Sequence, residues 1–134
     1  ISFFWSSYNA ETHQFQYVNA GHNPPFFLRE GQNEPTPLSD GGILLGAMPT
    51  LLPYKSASIK LQKNDIIVMY TDGVTEAMDE GEEEYGEERL AECILKNRSL
   101  DAEGIMDAVI DDVKIFTNNN YNDDITMLVL KKAN

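Results

Sequence analysis

Five consecutive apolar residues, Ile66-Ile67-Val68-Met69-Tyr70, run straight into Thr71-Asp72-Gly73. A strand that is apolar on both faces must be covered on both, so this chain has to build layers on each side of it. The segments around it provide the material. Ile1 to Tyr8 is rich in aromatics and reads as β from the first residue. A domain rarely begins in mid-strand, because the first strand needs a partner edge. The expectation is therefore that the domain continues upstream of Ile1. Asn9 to Thr12 forms a polar turn, and Gln14 to Asn19 alternates, so these two strands should pair as a hairpin. Pro24 and Pro25 interrupt the ladder before a further strand, Phe26 to Arg29. Residues 30 to 42 carry the turn chemistry of a surface loop. Ile43 to Gly46 has the character of a short buried segment, and Ser56 to Leu61 alternates again.

Helical periodicity appears only later. Leu90, Ala91, Ile94 and Leu95 make an apolar stripe within residues 87 to 96. Ser99 is the expected N-cap of a second helix, with Asp101 and Glu103 in its first turn. That helix continues through Ile105, Val109, Val113 and Phe116 and ends at Asn118 to Asn120. Ile125 to Leu130 is a last apolar strand. Many strands, two helices and then one strand make an α+β fold with antiparallel sheet, not an alternating βαβ unit.

Composition narrows the function classes. The chain has 134 residues, a net charge of −12 and one cysteine. Such an acidic surface repels phosphate backbones, which argues against nucleic acid as a partner. Cys93 alone cannot make a disulfide framework, so nothing points to an oxidising compartment. No apolar run approaches the ~20 residues of a membrane span, and no secretory signal opens the chain. The expected setting is cytoplasmic, with no membrane contact by this domain.

Two acids are distinguished by position. Asp72 closes the buried strand, and Asp123, in Asp123-Asp124-Ile125-Thr126, opens another. If the two strands are antiparallel neighbours, both carboxylates meet at one sheet edge. Their repulsion is relieved by a hard divalent cation, Mg²⁺ or Mn²⁺. Gly73 would let the chain or its carbonyl approach such a ligand closely. The plainer alternative is ordinary turn chemistry, since Asp-Gly and Asn-Asp-Asp both suit loops. Between Asp79 and Glu88 lies a dense acidic run without the ligand spacing of a calcium loop. It reads as a solvated face or mobile flap, and as the basis of a weaker reading, a cation-binding acidic domain. Gly41 to Gly46 lacks the Lys-Ser/Thr of a phosphate loop, and no Gly-x-Ser-x-Gly elbow occurs. Cys93 reads as a small core hydrophobe and His13 as a surface residue. His22 is held between Gly21 and Pro24, and its simplest role is a hydrogen bond within the turn.

Four segments together carry a resemblance: Tyr17-Val18-Asn19-Ala20-Gly21-His22-Asn23-Pro24-Pro25, Leu45-Gly46, Tyr70-Thr71-Asp72-Gly73-Val74-Thr75-Glu76-Ala77 and Asp123-Asp124-Ile125-Thr126. In this order they resemble the SpoIIE/RsbU-type branch of the PPM (protein phosphatase 2C-like) metal-dependent protein phosphatases. The resemblance implies an antiparallel β-sandwich flanked by helices. It also implies hydrolysis of phosphoserine or phosphothreonine on a bacterial regulatory protein, of the anti-sigma-factor-antagonist type used in partner switching. It implies two Mn²⁺ or Mg²⁺ ions in a complete domain, with Asp72 and Asp123 as ligands. Gly73 is expected either as a backbone ligand or beside the ligand set, and Asp124 beside it. The family pattern also needs an upstream Gly-Asp segment, and the only aspartate before Asp72 here is Asp40. Residues 1–134 are therefore expected to be the C-terminal part of one such domain, N-terminally truncated. This part should bind metal weakly or not at all and be impaired alone, with a homodimer or strand swap as a further expectation. The alternative is a non-catalytic partner-binding module of the same fold.

Overall fold

The computed structural model describes residues 1–47, 53–120 and 124–133. Two four-stranded sheets pack face to face. In the first, β1 (Phe3–Asn9) and β2 (Gln14–Ala20) form the expected antiparallel hairpin, from Phe3 opposite Ala20 to Asn9 opposite Gln14. The other edge of β2 is shared. β6 (Ala57–Lys60) pairs antiparallel with Gln14 to Tyr17, and β5 (Gly41–Gly42) pairs parallel with Asn19 and Ala20. In the second sheet, β4 (Thr36–Pro37), β3 (Phe26–Leu28), β7 (Ile66–Tyr70) and β8 (Met127–Lys131) lie side by side, all antiparallel.

The apolar run of β7 is covered on both faces, as its composition demands. Ile67 and Met69 face the first sheet with Phe27 and Leu130, against Phe15, Tyr17, Leu38 and Leu61. Ile66, Val68 and Tyr70 point the other way with Phe26 and Leu28, against two helices. These are α2 (Gly86–Lys96), which buries Leu90, Cys93 and Ile94, and α3 (Ala102–Phe116), which buries Ile105, Val109 and Val113. A fully buried side chain of this size contributes about 1.5–3 kcal/mol, so the two cores flanking β7 carry most of the stability. Lys131 Nζ donates to the carbonyls of Arg98 and Leu100, tying the link between α2 and α3 to β8.

Several local expectations are corrected. The cap of α3 is Asp101, whose carboxylate accepts from Gly104 N at 2.8 Å, and not Ser99. A longer link after α2 moves the cap two residues on. Ile43, Leu44 and Leu45 are not buried. They are 45, 44 and 37 % exposed, because they follow β5 into a turn at the sheet edge. The loop of residues 30 to 42 contains β4 and β5. The acidic run is largely exposed, as a solvated face should be, and turns on itself: Asp79 Oδ1 accepts from Gly81 N and Glu83 N, and Met78 bridges to Glu84. Its backbone bonds offset the local charge repulsion. Cys93 is a core residue, as expected.

Tyr17 is the buried phenol most useful as a reporter. Burial, and then its hydrogen bond to Asp40 Oδ2 at 2.7 Å, pushes it up to about 12. Tyr70 and Tyr85 are also raised, first by burial and then by Glu87 and Asp112 respectively. A raised folded-state pKa means the neutral phenol is favoured on folding. The stability it lends is therefore complete below pH 10 and is lost as pH climbs toward 12. Tyrosinate absorbance should rise together with unfolding in that window. Tyr17→Phe should remove part of the alkaline sensitivity.

Candidate functional site

The end of β7 and the start of β8 form one rim. Their register, Tyr70 opposite Met127, continues one step further, where Thr71 N donates to the Thr126 carbonyl at 3.0 Å. Thr126 N donates in return to Thr71 Oγ1 at 3.2 Å. Beyond this pair the ladder cannot continue, because Asp72 opens a single helical turn, α1 (Asp72–Thr75). A carboxylate at the first position of a helical turn is favoured by the free N–H groups there, and Asp72 Oδ1 accepts from Gly73 N at 3.0 Å. Val74 and Thr75 are buried beneath, so the turn is anchored while the Asp72 side chain stays exposed.

Gly73 is where the two segments touch. A Cβ built on it would strike the backbone carbonyl of Asp124. The chain therefore needs glycine here for the close approach and not for an unusual φ. Gly73→Ala should force the two strand ends apart. We expect a loss of about 1–3 kcal/mol, the usual cost of overpacking, together with weaker Mn²⁺ binding. Thermal unfolding and calorimetric titration of the same variant check both.

The structure thus brings Asp72, Gly73 and Asp124 to one rim, while Asp123 lies outside the described residues. Among the described residues, no group of three His, Cys, Asp or Glu side chains is placed to hold a metal ion. The donors at the rim are carboxylate and backbone oxygens, which suit a hard cation such as Mg²⁺ or Mn²⁺. They are too few to enclose one tightly.

A second loop enters the same rim. β2 ends at Ala20 and β3 begins at Phe26, opposite Val68, so residues 21 to 25 turn over at the end where β7 meets Asp72. The buried Asn19 organises this loop. Its Nδ2 donates to the carbonyls of His22 and Leu38, and its Oδ1 accepts from His22 N at 2.8 Å. The expected turn bond of His22 thus exists, but through its backbone and not its ring. The role of Asn19 was open to inference from sequence, since asparagine three residues before a turn often bonds its backbone. The Thr71–Thr126 pair had no such signal. His13 sits at the opposite end of β2, half-buried, its Nδ1 3.1 Å from Tyr8 Oη.

Comparison with known proteins supplies the context for this rim. A family model described as Stage II sporulation protein E (SpoIIE) matches residues 1–133. The chain is 32% identical over 133 residues to the phosphoserine phosphatase RsbU of Bacillus subtilis (strain 168), covering 98% of this chain and 39% of that protein. It therefore spans well under half the length of this relative. Among solved structures, the RsbU and RsbW domains of Rv1364c from Mycobacterium tuberculosis superpose with a TM-score of 0.73 at 25% identity, covering 98% of this chain and 36% of that one. The PP2C phosphatase domain of SpoIIE from Bacillus subtilis, with a fragment of its regulatory domain, gives a TM-score of 0.79 at 17% identity. It covers 97% of this chain and 37% of that one, a likeness of fold.

Proposed function

This chain belongs to the SpoIIE family of PPM-type protein phosphatases, and on that premise we propose that it forms the C-terminal part of a domain that hydrolyses phosphoserine or phosphothreonine on a regulatory protein. The observation that carries this reading is the rim where Gly73 abuts Asp124 and Asp72 stands exposed. In this reading Asp72 and Asp123 ligate Mn²⁺ or Mg²⁺, Gly73 offers its carbonyl, and Asp124 supports the set from beside it. A carboxylate from outside this chain completes the site. The exposed Phe3 and Trp5, 48 and 47 % accessible on the outer face of the first sheet, await cover from the same source. A homodimer or strand swap is the substitute available to the isolated chain.

When bound, the metal pair supplies a hydroxide at neutral pH and neutralises phosphoryl charge. The chain's own residues present and orient. The buried base of α1 holds the Asp72 carboxylate outward, and the Thr71–Thr126 bonds keep the two ligand-bearing segments in register. A covalent route finds no support in the only thiol. Cys93 is buried in α2, and burial, followed by Asp112, pushes it up, so it stays protonated and inert. Among the described residues no helix is long and apolar enough to cross a membrane. The reading sets the reaction in the cytoplasm and, by family likeness, on a phosphorylated protein of the anti-sigma-factor-antagonist type.

The test uses the longer parent protein. With Mn²⁺ it should release phosphate from a phosphoserine peptide, and a chelator should stop it. If neither Mn²⁺ nor Mg²⁺ supports turnover of phosphoserine or phosphothreonine, the phosphatase reading fails and a non-catalytic partner-binding module takes its place.

A further inference from the structure

We infer that the rim opposite Asp72 is a docking surface for an acidic segment of a partner protein. The inference goes beyond the phosphatase reading and does not rest on it. The chain carries 10 Lys and Arg against 22 Asp and Glu, yet Arg29, Lys60, Lys63, Arg98, Lys131 and Lys132 gather at this one end. The strand register brings them there. Leu28, Ile66 and Lys131 lie side by side in β3, β7 and β8, so Arg29, Asp65 and Lys132 lie one step beyond. Lys132 N donates to the Asp65 carbonyl at 3.0 Å. Arg29 Nη2 donates to the Lys60 carbonyl at 3.1 Å, which brings in the end of β6, and Lys63 occupies the short turn from β6 into β7. Arg98 donates to the carbonyls of Gln32 and Arg29 at 2.8 and 3.1 Å. Lys131 Nζ donates in turn to the carbonyls of Arg98 and Leu100.

Only part of this charge is used by the fold. Both guanidinium groups are committed within it, Arg98 to carbonyls and Arg29 to Asp65, the Lys60 carbonyl and the face of Phe27. The ammonium groups of Lys60, Lys63 and Lys132 have no hydrogen bond or ion pair among the described residues. Lys60 and Lys63 are exposed and Lys132 is half-buried. Neighbouring acids are engaged elsewhere: Asp65 with Arg29, Glu30 with Asn64 and Asp101 with Gly104 N. The rim therefore presents positive charge that its own chain does not neutralise.

An acidic peptide segment fits this rim better than other polyanions. Phosphate is recognised best by a free arginine fork, and neither arginine offers one. A nucleic acid or an anionic membrane spreads its charge over a wide area, and would press against the acids that leave the chain at −12. A short run of Asp and Glu stays within reach of the lysines alone. Leu100, 43 % exposed where its carbonyl meets Lys131, adds an apolar contact for a peptide side chain. β7 advances about 3.3 Å per residue, so the surface lies on the order of 20 Å from Asp72. A partner docked there leaves the Asp72 rim open. Its binding is electrostatic, and so weakens with salt.

The experiment follows the fluorescence anisotropy of a labelled peptide of Glu and Leu residues on addition of the parent protein, without metal. It compares K60E/K63E with the charge-matched K55E/K114E, whose lysines are also exposed. The wild type should bind the peptide, and less well as salt is raised. K60E/K63E should weaken binding by about tenfold or more, and K55E/K114E by less than about threefold. Both variants should melt like the wild type, because Lys60 and Lys63 hold nothing through their side chains. If K60E/K63E melts early, K63E alone lies in a turn and should still weaken binding by about threefold. Failure of the wild type to bind the peptide overturns the inference. So does an equal loss in the two charge-matched variants, which would assign the effect to net charge. Tighter binding of phosphatidylserine vesicles or of double-stranded DNA than of the peptide also overturns it, in favour of a lipid or a nucleic acid. Turnover of a phosphoserine peptide is a separate readout, and its absence would end the phosphatase reading while leaving this inference standing.

Discussion

Asp72→Asn should reduce kcat/KM of the parent protein on a phosphoserine peptide by on the order of 10³-fold, the rate equivalent of several kcal/mol of transition-state charge stabilisation by metal. The physical case is local. Asp72 sits on a turn whose buried base keeps its backbone in place, so the amide should occupy the position of the carboxylate. The charge, and not the shape, is what disappears. Mn²⁺ affinity measured by calorimetry should fall with the rate, while the melting temperature in chelator should hardly move. A variant that keeps both its affinity and its rate would remove Asp72 from the site. A variant that keeps affinity but loses rate would place it in orientation instead of binding.

The second large effect concerns stability at the opposite rim. Asp65 is fully buried, at 0 % exposure, and pairs with Arg29. Its Oδ2 accepts from Gln62 N at 2.8 Å and from Arg29 Nη2 at 3.2 Å. Its Oδ1 and Arg29 Nε have no partner among the described residues, so the pair is held by a single contact. Asp65→Ala should cost about 2–4 kcal/mol. Breaking a buried pair commonly costs about 3–5 kcal/mol, and Arg29 softens the loss because its side chain is 35% exposed. Arg29 also keeps the Lys60 carbonyl and its place over the Phe27 ring. Asp65→Asn retains an acceptor for Gln62 N and should cost about half as much. Against a typical total of about 5–15 kcal/mol, the alanine change consumes a large share. Urea unfolding measures it directly. Because Asp65 lies at the end of β7 remote from Asp72, Mn²⁺ affinity of the folded variant should be preserved.

Much of this architecture was legible from residue patterns because the relevant physics is local or periodic. The hairpin of β1 and β2 followed from alternation around a polar turn. The double covering of β7 followed from five apolar residues without a polar face. The stripes of α2 and α3 followed from helical spacing. The readings that failed did so where a distant contact outweighed local character. Ile43 to Leu45 looked buried, but β5 ends against β2 and releases them to the surface. Ser99 looked like a cap, but the chain between α2 and α3 runs on to Asp101.

Residue order alone set the inventory: a strand needing cover on both sides, two amphipathic helices, and aspartates placed where strands end or begin. Those are properties of side-chain polarity and spacing, which act over a few residues. Which segments meet at the rim follows from the folded arrangement of both sheets. The Tyr70–Met127 register, the Thr71–Thr126 exchange and the contact of Gly73 with Asp124 join segments some fifty residues apart. Such pairing is chosen by the packing of whole sheets, because shifting a strand by one residue turns every side chain to the other face. The same packing sets Arg29 against Asp65 at one rim and turns the loop of residues 21 to 25 over at the other.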